Sequence, residues 1–73
     1  MKKTYKMEDL ECAHCAAKME KKIAKLEGVE DVAISFLTQK MTVVFAEGAD
    51  VDSILEEAAA IVKKIEPDCR ILF

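Results

Sequence analysis

Two cysteines, Cys12 and Cys15, stand in Glu11-Cys12-Ala13-His14-Cys15, just ahead of a stretch with helical apolar periodicity. A thiol at a helix N-terminus faces unpaired backbone N–H groups and the positive end of the helix dipole. Both favour thiolate over thiol, and thiolate is the form that ligates soft metals or attacks disulfides. Two thiolates alone suit Cu(I), which accepts near-linear coordination by soft sulfur. Zn²⁺ and Cd²⁺ call for about four ligands, and zinc takes carboxylate oxygen alongside sulfur. Nearby carboxylates therefore decide between these ions. Glu11, directly before the first cysteine, is the expected third ligand. Glu66 is a further candidate if the last loop folds over the site, and Asp9 ranks below both because it lies further from the thiols in sequence. Two sulfurs and one carboxylate leave a coordination position for water or for an acceptor's ligand, which suits a site that hands metal on.

Other tempting side chains have plainer readings. Imidazole binds zinc well, but the two residues inside a C-x-x-C must point away so that both thiolates converge, so His14 is expected in solvent. Cys69 alternates with Ile71 and Phe73 and is expected as a packed core thiol. Leu10 is expected in the core. Met7, Met19 and Met41 fall on core-facing stripes, which argues against a methionine-rich copper site.

The elements that position the cysteines can be traced by period. Tyr5 and Met7 alternate with polar neighbours, which predicts a first strand from about Lys3 to Glu8. Ala16, Met19, Ile23 and Leu26 recur at three- and four-residue spacing, a helix stripe, with Gly28 where a C-cap is expected. Val32, Ile34 and Phe36 then alternate, as do Met41, Val43 and Phe45, around a loop at Thr38-Gln39-Lys40. Asp50 is a credible N-cap for a second helix carrying Val51, Ile54, Leu55, Ala58, Ile61, Val62 and Ile65. Pro67 cannot continue that helix, and Cys69, Ile71 and Phe73 predict a last strand. The order is β-α-β-β-α-β, an α+β arrangement in which two helices cover one face of a four-stranded antiparallel sheet.

Bulk properties narrow the function. Seventy-three residues make one domain, 1–73. A net charge of −3 argues against nucleic acid, which needs a clustered cationic face. The longest apolar run, Ala58 to Val62, is far short of the roughly 20 residues of a membrane span. Met1-Lys2-Lys3 leads into polar residues rather than a signal segment, so a cytoplasmic location is expected. Three cysteines, an odd number, do not suggest a disulfide framework. Lys18, Lys21, Lys22 and Lys25 form a basic flank on the first helix that could guide docking to an acidic surface.

With Cys12-x-x-Cys15 between the first strand and helix, and Leu26-Glu27-Gly28-Val29 after that helix, nearly the whole chain resembles the heavy-metal-associated domain family. The family includes copper chaperones and the N-terminal domains of metal-transporting P-type ATPases, and the resemblance implies a ferredoxin-like βαββαβ fold. The copper branch usually carries Gly-Met-x-Cys-x-x-Cys; here the positions read Asp9-Leu10-Glu11-Cys12. An acidic residue before the first cysteine, and Lys63-Lys64-Ile65-Glu66-Pro67-Asp68, are similar to the zinc, cadmium and lead branch. The resemblance thus implies a non-catalytic module for Zn²⁺, Cd²⁺ or Pb²⁺ from a heavy-metal efflux ATPase, a monomer whose partners are the metal ion and other ATPase or metal-binding domains. A Cu(I) chaperone or copper-ATPase domain, a dithiol oxidoreductase and a mercury carrier remain as alternatives. A metal shared between two such loops could also bridge a dimer.

Overall fold

Alternating apolar residues build the strands of the computed structural model, which describes residues 1–73 and runs β1 (Lys2–Glu8), α1 (Ala13–Ile23), β2 (Val29–Ser35), β3 (Lys40–Phe45), α2 (Val51–Ile65) and β4 (Arg70–Leu72). The sheet order is β2-β3-β1-β4, with every neighbour antiparallel. Tyr5 lies opposite Met41 and Met7 opposite Ile71, so the inward residues of neighbouring strands meet on one face. The helices cover that face, α1 against β2, α2 against β4, and each against the other. This is the expected ferredoxin-like α+β sandwich.

Fifteen apolar residues form one core, and no polar or charged residue is buried with them. Met7, Met19, Ile23, Met41, Val43, Phe45 and Val62 are sealed from solvent. Burial of a side chain of this size stabilises by about 1.5–3 kcal/mol. The three expected core methionines and Leu10 are all inside. Asp50 caps α2 as expected, its carboxylate accepting the Ser53 N–H at 3.3 Å.

Several boundaries depart from the periodic reading. Helix α1 stops at Ile23 rather than running on through Leu26, and the chain tightens through i→i+3 bonds from Lys25 to Lys22 and from Leu26 to Ile23. Leu26 is consequently only half-buried. Gly28 therefore does not cap the helix. It turns the chain into β2 at φ +94°, with the Val29 N–H bonded to the Leu26 carbonyl. Phe36 lies in the β2–β3 turn, and Lys40 belongs to β3 rather than to the loop. The last strand is short: Cys69 and Ile71 point inward, but Phe73 is 65% exposed, because β1 pairs with β4 only through Leu72.

Candidate metal centre

Strand β1 releases the chain at Glu8, and Asp9 bends it through a left-handed φ of +58°. Aspartate is among the few non-glycine residues that visit this region readily. Leu10 then drops into the core, 2% exposed, and anchors the loop from below. Its backbone is held from the side by Gln39 of the β2–β3 turn. The Leu10 N–H donates to Gln39 Oε1 at 3.0 Å, and Gln39 Nε2 donates to the Leu10 carbonyl at 2.6 Å and the Phe36 carbonyl at 2.8 Å.

Cys12 is the N-cap of α1, with extended backbone at φ −130° and ψ 115°. Its Sγ accepts the Cys15 N–H at 3.2 Å, in the place where a serine or aspartate oxygen usually stands. The helix thus begins at Ala13, so His14 and Cys15 lie in its first turn and not in the loop before it. The capping bond itself draws both cysteines to one point, since the residue three places after the cap presents its N–H to the capping atom.

The two thiols act on one another, and this splits their acidities. Cys12 is pushed below the ordinary thiol range, chiefly by the side-chain and backbone hydrogen bonds from Cys15. Cys15 is pushed above it, first because its thiol is that donor, then by desolvation and by the charges of Cys12 and Glu66. Lys18, one turn further along α1, counteracts the rise. The metal-free pair therefore holds its first negative charge on Cys12.

The acidic candidates separate. Glu11 is exposed. Glu66, the C-cap of α2, ends that helix with its N–H bonded to the Val62 carbonyl and turns the chain toward Cys69. Its charge reaches Cys12, Cys15 and Cys69. One of its carboxylate oxygens, Oε2, is sealed from solvent and has no hydrogen-bond partner. No three His, Cys, Asp or Glu side chains are clustered tightly enough to hold an ion as they stand, so an ion that needs a third side-chain ligand would have to draw it in. His14 is exposed, as expected. Cys69 is the expected core thiol, 3% exposed, and its pKa is raised to about 11 by burial and by Glu66 and Asp9. A surface depression of about 510 Å³ lies at the other end of the sheet, among Glu27, Gly28, Glu47 and Asp50, with no thiol or imidazole in it.

Residues 4–69 match the model of the heavy-metal-associated domain. The chain belongs to this family. A probable cadmium-transporting ATPase of Staphylococcus aureus is 35% identical over 68 residues, covering 92% of this chain and 8% of that protein. Copper-transporting ATPase 1 of Rhizobium meliloti (strain 1021) is 38% identical over 48 residues, covering 66% of this chain and 6% of that protein. A solved CsoZ metallochaperone superposes with a TM-score of 0.75 at 20% identity, covering 100% of this chain and 97% of that one. The chain thus spans less than a tenth of the length of either ATPase. As a heavy-metal-associated domain it is a metal-binding module, and cadmium- and copper-transporting proteins both stand among its relatives.

Gln39 is the site residue that sequence reasoning passed over. Read as part of a hairpin loop, it carried no signal, because the Leu10 backbone groups it holds are 29 positions away.

Proposed function

We propose that this domain binds Zn²⁺, Cd²⁺ or Pb²⁺ through the thiolates of Cys12 and Cys15 and passes the ion on, as a cytoplasmic N-terminal module of a heavy-metal efflux ATPase, residues 1–73 forming one domain. It acts as a monomer whose partners are that transporter's other domains or a second metal-binding domain. What supports a transfer role is the openness of the pair: both cysteines are half-exposed at a helix start, free for an acceptor's ligand to approach. The domain supplies no catalysis; it presents the ion.

The observation that carries the divalent assignment is the unpartnered buried oxygen of Glu66, a residue whose charge acts on both thiols. A buried acceptor without a donor is costly, more so when charged, and a cation bound by the thiolates would satisfy it. A carboxylate stabilises a dication better than a monocation and adds a donor that zinc accepts. Glu66 is thus favoured as third ligand over Glu11, which faces solvent. The second reading, Cu(I), is favoured by the absence of any third side chain already gathered at the pair, since two sulfurs suffice for that ion.

Titration with Zn²⁺ and Cu(I) at buffered free concentration separates the two. Replacement of both cysteines, C12S and C15S, abolishes binding of either ion. E66A weakens Zn²⁺ about tenfold or more, in the range expected for loss of a supporting ligand, and leaves Cu(I) nearly unchanged, whereas E11A affects neither strongly. Equal losses for both ions in E66A would remove the divalent assignment. Binding displaces thiol protons, so affinity falls as pH drops.

A further inference from the structure

Two residues other than glycine have left-handed backbone, Asp9 at φ +58° and Gln39 at φ +56°. One lies where β1 runs into α1 and the other in the β2–β3 turn, and the Gln39 side chain ties the two segments together. Strands β1 and β3 pair as far as Lys6 opposite Lys40. Beyond that point the Met7 N–H bonds to the Gln39 carbonyl at 2.8 Å, and β1 parts from β3, leaving the sheet after Glu8. Gln39 bridges the gap that opens. A primary amide offers one acceptor oxygen and two donor hydrogens, and here all three are used: Oε1 takes the Leu10 N–H, and Nε2 serves the Leu10 and Phe36 carbonyls. Both polar groups of the Leu10 backbone are thereby satisfied by one side chain. The amide does the work of a peptide group in a strand that is not there, two residues before Cys12.

We propose that Gln39 is a positioning residue of the metal centre, its side-chain amide holding the Leu10 backbone so that Cys12 presents its sulfur at a fixed place relative to Cys15 and Glu66. The proposal rests on the reading of Cys12 and Cys15 as ligands. The capping bond from Cys15 fixes the Cys12 sulfur from the helix side only; Gln39 and the buried Leu10 side chain fix it from the strand side. A loop freed on that side must be ordered when the ion binds, and that ordering entropy is charged against affinity. An ion needing several donors at set positions loses most by this. Cu(I), content with two sulfurs, loses less. Partners that orient metal ligands commonly change affinity about 10–100-fold when removed.

The test is Gln39→Asn, because asparagine also tolerates left-handed backbone while its amide, one methylene shorter, no longer spans to Leu10. Gln39→Met, of similar length but without hydrogen bonds, serves as a second variant should the first repack. Zn²⁺ and Cu(I) affinities are measured by competition with chelators on the whole domain, with hydrogen exchange of the Leu10 amide and a thermal melt of the metal-free protein. The expected result is fast exchange at Leu10, a retained cooperative melt, a loss of Zn²⁺ affinity of about tenfold or more, and a much smaller loss for Cu(I). A purely structural role would lower the melting temperature and leave the ratio of the two affinities where it is in wild type; that outcome overturns the proposal. Wild-type protein that binds neither ion, or binds both as well after C12S and C15S, would instead overturn the reading of the cysteines as ligands.

Discussion

Cys12 holds two roles that depend on the same lone pairs: it caps α1 and it carries the first negative charge of the site. The acidity order of the three cysteines follows from their partners. Cys12 is lowered by donors from Cys15, Cys15 is raised by giving its proton to that bond, and Cys69 is raised to about 11 by burial. Alkylation of the metal-free protein by iodoacetamide should therefore modify Cys12 first, with a rate that rises as pH climbs through its depressed pKa. Cys69 should react only on unfolding. Peptide mapping after partial labelling reads the order, and Cys69 reacting with the others in native protein would contradict it. The cysteine pair was legible in the sequence because its spacing is local and its setting at a helix start is written in the next ten residues. The order of reactivity was not, since it depends on which thiol donates.

Among the elements, the β2 entry turn is the least tolerant point. A Cβ built on Gly28 would lie 2.7 Å from Ile54 Cδ1 and 3.1 Å from the Ala49 Cβ, on a backbone at φ +94°. G28A should destabilise by about 2 kcal/mol, combining the left-handed penalty for an L-residue with the displaced contact; chemical denaturation measures it. A loss below about 0.5 kcal/mol would show that Ile54 swings aside freely. Gly28 was readable as a conformational break, but not its employer, because the glycine serves the approach of α2 and not the end of α1. The element order itself was fully legible: stripes of period 3.6 and 2 are properties of adjacent residues. The boundaries that slipped are those set by distant partners. β4 ends where β1 stops pairing with it, and α1 ends where the chain must turn back toward β3.

At the scale of the molecule, the start of α1, the end of α2 and the β2–β3 turn meet at one end of the sheet, and that convergence makes the centre. It also couples folding to the protonation of Cys69. In the unfolded chain this thiol ionises near its ordinary value of about 8.5, while the folded protein keeps it protonated to about 11. A group whose folded pKa is raised in this sense costs stability as pH rises through that window, with full stability below it. Denaturation midpoints should therefore fall between pH about 8.5 and about 11. Tyr5, also raised by desolvation and by Asp52, adds to the fall at the upper end. C69V should flatten the part due to the thiol, and an unchanged pH profile in that variant would refute the assignment.

The sequence alone determined the βαββαβ order, the methionine-lined core, the thiol pair and the presence of carboxylates from which a third ligand could be drawn. Each of these is encoded by residue type and short-range period. Only the tertiary structure decided that Glu11 is exposed while one carboxylate oxygen of Glu66 is buried without a partner and its charge acts on both thiols, and that Gln39 holds the loop before Cys12. Those contacts join positions 29 to 54 residues apart in the chain, and packing, not local spacing, selects which of the available polar groups meet.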